Sequence, residues 1–278
     1  MKKIGIVVSS PVSKTELIKN SDLILGEVLL SLYIDEVEYN SHTITQEELF
    51  KRMRDEDVMP TTAQPSPGEI SLVIEEALRQ CEKLIMVMPH ESLSGTYQNV
   101  VAVVNDCERK DDIFVLASNS VAISEAADVE EAIKLITDGE SFESVCEKLV
   151  EFNNRLITYA YPGSTRHLRK SGRISNSQAL LLGALNIRVQ IKCDGDAPYS
   201  AAKGRGEKFV LKNIEAELAN VEVEHIYYVS LSESEKLRAA VFAMFERNGY
   251  PYTETDPADA VPCVHFGENT LGFTVVCK

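Results

Sequence analysis

No stretch of this 278-residue chain reaches the ~18 consecutive apolar residues that a membrane-spanning helix needs. The opening MKKIGIVVSSP carries two lysines and a short apolar run, but it lacks the length and the small-residue cleavage site of a secretory signal. These absences lead to the expectation of a cytoplasmic protein with no integral membrane association and at most transient membrane contact. Paired cysteine spacing is missing too. Cys81, Cys107, Cys146, Cys193, Cys263 and Cys277 are scattered, mostly in apolar stretches, which argues against a zinc site or a disulfide framework and for plain buried thiols. There is no basic block. The 43 acidic and 28 basic residues give a net charge of −15 spread along the chain, so nucleic acid is not an expected partner. The acidity serves solubility or suits a basic protein partner. Internal repeats, low-complexity tracts and glycine- or proline-rich linkers are also absent, so any two domains should touch closely.

With 44% apolar and 26% charged residues, the chain is an ordinary globular protein, long enough for one large core or two smaller ones. Strands and helices alternate. Lys3 to Val8 and Val28 to Ile34 are continuous apolar runs of the kind found in buried parallel strands. Thr45 with Glu48 forms one capping box and Ser66 with Glu69 another. Beyond the second, Ile70, Val73, Ile74, Ala77, Leu78 and Cys81 repeat at helical spacing. Leu84 to Met88 and Ile113 to Ala117 read as further strands, with helices from Val100, from Asp128 to Thr137 and from Phe142 to Asn153. The first half is therefore expected to be a layered α/β unit with a mostly parallel sheet.

Past Arg155 the texture changes. Strands are expected at Leu156 to Tyr161, Ile187 to Cys193, Pro198 to Ala202, His225 to Ser230 and Leu271 to Cys277, with a hairpin at Asp194-Gly195. Helices fall at Thr165 to Lys170, Asn176 to Leu185, Glu207 to Leu218 and Glu233 to Asn248. This predicts a second α/β domain, residues 156–278 against 1–155, with antiparallel or mixed pairing.

Chemistry concentrates in two places. PTTAQPSPGEI, from Pro60 to Ile70, is a stiff strap, because each proline fixes its own φ and drives the preceding residue into an extended conformation. PHESLSGTY, from Pro89 to Tyr97, lies where a buried strand ends and a helix begins, so unpaired backbone N–H groups there attract an anion. Ser94 can add a hydroxyl or merely cap its helix, and Gly95 permits close backbone approach. Thr62 offers a second hydroxyl on a neighbouring connection, and two neutral donors suit a carboxylate. Gly204-Arg205-Gly206-Glu207-Lys208 lacks the spacing of a phosphate loop. A hydrolase pairing Ser94 with His265 is an alternative, although SLSGT is not the usual nucleophile elbow.

TTAQPSPGEI, SLSGTYQNV, HLRKSGRIS, LLGALNIRVQIKCDGD and HFGENTLG, in this order, resemble the DegV family of bacterial two-domain fatty acid-binding proteins. The resemblance implies an acyl chain held in a tunnel between the domains, with its carboxylate presented to a separate fatty acid kinase that makes acyl phosphate. Carried over position by position, it implies that Thr62 and Ser94 bind the carboxylate. Gly95, Arg173 and His265 would then support the head group or face the kinase. No cofactor and no catalytic residue are implied; the protein would be a carrier, not an enzyme. The alternatives are the serine hydrolase and a binder of a different lipid or small carboxylate. The chain departs from the family pattern at Ser9-Ser10-Pro11, Ala63, His90-Glu91-Ser92, Ser118 to Glu125 and Glu268-Asn269.

Overall fold

The structure, a computed structural model, describes residues 2–56, 58–163, 165–172, 187–232 and 234–278. In chain order the first half contains β1 (Lys2–Ser9), α1 (Glu16–Asn20), β2 (Ile24–Val28), β3 (Ser31–Ile34), β4 (Val37–Asn40), α2 (Gln46–Asp55), β5 (Thr61–Ala63) and α3 (Pro67–Leu78). It continues with β6 (Cys81–Met88), α4 (Thr96–Asn105), a 3-10 turn, β7 (Ile113–Ala117), α5 (Ile123–Thr137) and α6 (Phe142–Asn153). The second half runs through β8 (Leu156–Tyr161), α7 (Thr165–Lys170), β9 (Ile187–Cys193), β10 (Tyr199–Arg205), α8 (Gly206–Leu218) and β11 (Val223–Leu231). It ends with α9 (Glu235–Asn248), β12 (Tyr252–Glu254), α10 (Ala260–Phe266) and β13 (Thr270–Cys277).

A parallel sheet of order β2-β1-β6-β7 forms the first layer system. Both its faces are covered, as parallel strands require. Ile70 and Ile74 of α3 and Val100 and Val104 of α4 pack with Val7, Leu84 and Met86 on one face. Val129 and Ile133 of α5 and Val145 and Leu149 of α6 meet Ile6, Ile85 and Val87 on the other. The α3 capping box is present, with Ser66 Oγ accepting the Glu69 N–H and Glu69 accepting the Ser66 N–H at 2.8 Å.

The six-stranded sheet, ordered β10-β9-β8-β13-β11-β12, is antiparallel except where β11 meets β12. Alternation along its strands divides two environments. Tyr159, Tyr161, Phe273 and Val275 point to a core with Val210 and Ile214 of α8 and Val241 and Phe245 of α9. Residues of the opposite phase, such as Val229 and Leu231, face Ile123 of α5, Val261 of α10 and Leu30 and Leu32. This second face meets the first half of the chain, so the two halves share one core. Among the described residues, no helix is long and apolar enough to cross a membrane.

Two expectations need correction. The run Val28 to Ile34 is not one strand. After Val28 the Ser10 N–H bonds the Val28 carbonyl and Ser10 Oγ accepts the Leu30 N–H at 3.1 Å. The chain thereby leaves the parallel sheet and starts a small antiparallel sheet of order β4-β3-β5. The helix expected from Asp128 begins at Ile123, five residues earlier than the apolar pattern shows, because Ser124, Glu125 and Asp128 are polar yet fully buried. Gly204 belongs to β10 and Gly206 opens α8, in keeping with the absence of phosphate-loop spacing in that segment. The expected helix from Asn176 to Leu185 lies outside the described residues. All six cysteines are free, three of them buried.

Candidate functional site

In the parallel sheet, the connections after β1 and after β6 leave in opposite directions, because β2 flanks β1 on one side and β7 lies beyond β6 on the other. Such a switch point opens a crevice at the carboxyl ends of the strands. Pro11 from the first connection and Pro89, Leu93 and Ser94 from the second line the cavity that fills this crevice. The cavity, about 1050 Å³ with its mouth included, continues between the two sheets. Its far wall is the free face of the six-stranded sheet, including Thr158, Ala160, Ile191, Val229 and Gly272. Ile123 and Val261 close it from the helices. Most of this lining is hydrocarbon.

The strap and the Ser94 loop arrive at the same mouth. Thr62 sits opposite Leu32 in the β5–β3 ladder, and Thr62 Oγ1 is hydrogen-bonded to His265 Nε2 at 3.0 Å. His265 comes from α10, 203 residues further along, so this bond joins the two halves of the chain. Ser94 Oγ lies 2.8 Å from Thr96 Oγ1 and also accepts the Thr96 N–H at 3.3 Å, which makes Ser94 part of the α4 start as well as of the cavity wall. Gly95 is the N-cap of α4, and a Cβ there would lie 2.5 Å from Gln64 Oε1 of the strap. The strap is fixed further by Asn99, whose side-chain amide donates to the Pro65 carbonyl at 2.8 Å. Thr62, Ser94 and His265 therefore line one cavity, and Gly95 lets its two polar segments meet. Arg173 lies outside the described residues.

Glu91, in the loop that departs from the family pattern, is exposed and accepts from Gln98 at 3.3 Å. His90 is more intimately placed. Its Nδ1 lies 2.7 Å from Ser92 Oγ, and its ring is near enough to the backbone of Gly195 in the β9–β10 hairpin to be influenced by it. Burial lowers its pKa, with Glu91 and Asp196 acting in the opposite sense.

Several lining groups carry no motif. Ser120, Cys193 and Thr158 line the cavity as polar side chains from three separate segments. The only hints in the sequence are an interior threonine in LITYAY and a glycine in TLGFTVVC, since a strand glycine marks a close approach. Behind the wall, Glu125 is fully buried, accepting from Ser9 Oγ and from the Ala122 N–H. Burial pushes its pKa up to about 8. Asp128, one turn on, accepts from Ser118 Oγ and is also raised by burial. Among the described residues, no cluster of three or more histidine, cysteine or carboxylate groups is placed to hold a metal.

The sequence matches a family model described as "Uncharacterised protein, DegV family" over residues 3–278. A DegV domain-containing protein of Clostridium perfringens is 27% identical over 276 residues, covering 96% of each chain. Another, from Caldanaerobacter subterraneus, is 30% identical over 214 residues, 76% of this chain and 75% of that one. Among solved structures, a DegV family protein of Thermus thermophilus described by its fatty acid binding superposes with a TM-score of 0.88 at 24% identity, over 99% of this chain and all of the other. A stearic acid-binding protein of Eubacterium ventriosum gives 0.83 at 21% identity, over 100% and 99%. The fold is thus shared by these proteins, and the family match spans nearly every residue: the chain belongs to the DegV family.

Proposed function

We propose that the protein binds a long-chain fatty acid between two domains, residues 1–155 and 156–278, and offers its carboxylate at the Thr62–Ser94–His265 mouth. The observation that carries this reading is an apolar cavity lined by two hydroxyls and an imidazole. The T. thermophilus and E. ventriosum relatives, described as binding fatty acid and stearic acid, support it. Burying a tail of about 14 methylenes at ~0.8 kcal/mol each yields roughly 11 kcal/mol before the costs of immobilisation. Each bond to the carboxylate adds ~1.5–3 kcal/mol. The tail thus supplies affinity and the hydroxyls set direction. A hydrolase would need Ser94 activated by a base, whereas Ser94 is bonded to Thr96 and His265 to Thr62.

In this reading the protein is a carrier, and a separate fatty acid kinase makes the acyl phosphate from ATP. Native mass spectrometry of the purified protein, followed by lipid extraction, tests the binding step. A bound acid is expected. An empty cavity, with no rise in Tm on adding acids of about 14 to 18 carbons, would refute the reading. The presenting step is tested by Arg173→Ala, which should keep the bound acid yet lose acyl phosphate formation with kinase, ATP and magnesium. Turnover by the wild type without any kinase would overturn it.

A further inference from the structure

Among the described residues, the cavity wall is polar at its mouth, at Thr270 and along one other line. Ser120 Oγ donates to Cys193 Sγ at 3.5 Å, Cys193 stands opposite Thr158 in the β9–β8 ladder, and Thr158 Oγ1 lies 2.8 Å from Thr274 Oγ1 on β13. None of the four is more than 5% exposed. The neighbouring row on the same face, Ile191, Ala160, Gly272 and Val229, has no polar side chain. Two residues along each strand separate the rows by roughly 7 Å. Thr270, another hydroxyl on the wall, is already committed, donating to the Phe266 and Gly267 carbonyls and accepting the Gly163 N–H.

The polar row is not committed in this way. Two threonine hydroxyls carry two protons, and their mutual bond uses one; among the described residues the other meets no acceptor. Cys193 enters its bond as the acceptor, so among the described residues its own proton is also unspent. That proton stays on sulfur at neutral pH, since burial pushes the thiol up to about 11. Among the described residues, Ser120 Oγ keeps lone pairs open. A buried O–H without an acceptor costs ~1–3 kcal/mol, and a hydrocarbon tail lying against it provides none. A hydroxyl can both accept from the threonine or the thiol and donate to Ser120, matching the row on both counts. A carboxylate fits less well, as it only accepts.

We propose that Ser120, Cys193 and Thr158 form a second polar subsite inside the acyl cavity, and that the preferred ligand is a fatty acid bearing a hydroxyl group partway along its chain. The proposal rests on the fatty acid reading above. To test it, delipidated full-length protein is titrated with stearic acid and with a positional series of monohydroxystearic acids. At least one positional isomer should bind ~10-fold or more tightly than stearic acid, the worth of one or two buried hydrogen bonds. Thr158→Val, which keeps the side-chain shape, should abolish that preference, bringing the favoured isomer down to the affinity that the same variant shows for stearic acid. The Thr158→Val/Thr274→Val pair guards against a threonine left stranded and should behave alike. If stearic acid binds and no isomer gains, the subsite is refuted while the carrier reading stands. If Thr158→Val weakens stearic acid and its hydroxy derivatives equally, the row serves the head group or the fold and the proposal fails. Absence of all acid binding by natively folded protein would remove both.

Discussion

Gly272 should act as a gauge of the cavity. It lies on the floor between Ala160 of β8 and Val229 of β11, in the middle of a strand that is otherwise almost entirely buried. A Cβ built there would meet the Tyr159 carbonyl and Val229 Cγ1 at 3.4 Å and Ile123 Cδ1 at 3.5 Å, all ordinary contacts. Substitution therefore fits the fold and takes space from the ligand. Alanine adds one carbon and valine three. At ~0.8 kcal/mol per methylene displaced, Gly272→Ala should weaken a long-chain acid about 4-fold and Gly272→Val roughly 50-fold. The ligand-free proteins should change in the opposite sense. A β-branched residue suits a strand interior better than glycine, and its methyls fill empty space, so Tm of the empty Gly272→Val protein should hold or rise. Calorimetric titration with a saturated acid, beside thermal melts of delipidated protein, reads both. Wild-type affinity in Gly272→Val at an undiminished Tm would show that the acyl chain does not lie on this floor.

Thr62→Ala and Ser94→Ala should each leave a folded protein and weaken fatty acid binding ~10-fold or more, measured by displacement of a fluorescent fatty acid, because each removes a bond to a charged group. Unchanged affinity in the double variant would place the carboxylate elsewhere. His90 sets the loop after β6 beside the β9–β10 hairpin, and Cys193 and Pro198 of that hairpin segment line the cavity. His90→Ala should therefore speed ligand dissociation in stopped-flow transfer to lipid vesicles more than it lowers Tm. Because burial holds the imidazole neutral, its contribution is present above pH ~6.5 and is lost as pH falls through the lowered value. Wild-type release should quicken in acid while the variant stays level; parallel profiles would remove His90 from the mouth.

Local chemistry made much of the fold legible. The α3 helix follows from the Ser66–Glu69 box and a single apolar face, and α6, β7 and β8 follow from equally plain runs. What failed depended on partners far away in sequence. The strands β3, β4 and β5 have three or four residues each, and their pairing is set by a hydrogen-bonding change at Ser10 and Leu30 that no window of sequence displays. The start of α5 was hidden because buried carboxylates and hydroxyls broke its apolar periodicity. Within the site, Thr62 and Ser94 stood in recognisable segments, and the bond from Thr62 to His265 is what joins two of those segments. The Ser120–Cys193–Thr158–Thr274 row stayed unread, since it exists only through the register of three strands against one loop.

Glu125 shows how the cavity wall is maintained. Ala122, on that wall, has φ 62° and ψ −89°, a conformation that costs a residue with a Cβ on the order of 1–3 kcal/mol. Glu125 Oε2 accepts the Ala122 N–H at 2.8 Å, and the Ala122 carbonyl accepts the Ser13 and Ala126 N–H groups, so the strained turn is held from both sides. Burial keeps this carboxyl protonated up to about pH 8, far above its ordinary 4.5. The folded state therefore holds a proton that the unfolded chain gives up at lower pH. Stability from this group is complete below pH ~4.5 and declines as pH rises toward 8. Across two pH units within that window, one such proton is worth roughly 2–3 kcal/mol, or several degrees in Tm. Glu125→Gln keeps an acceptor for Ala122, faces Ser9 Oγ with an amide N–H in place of the oxygen that accepts there, and cannot titrate. Its Tm should fall less than that of the wild type between about pH 5.5 and about pH 7.5. Asp128, raised chiefly by burial and in part by Glu125, leaves a residual slope in both proteins, so the difference between the two curves reports Glu125 together with its influence on Asp128. Parallel curves would mean that Glu125 is already ionised in the fold, and the account of the turn it braces would be wrong.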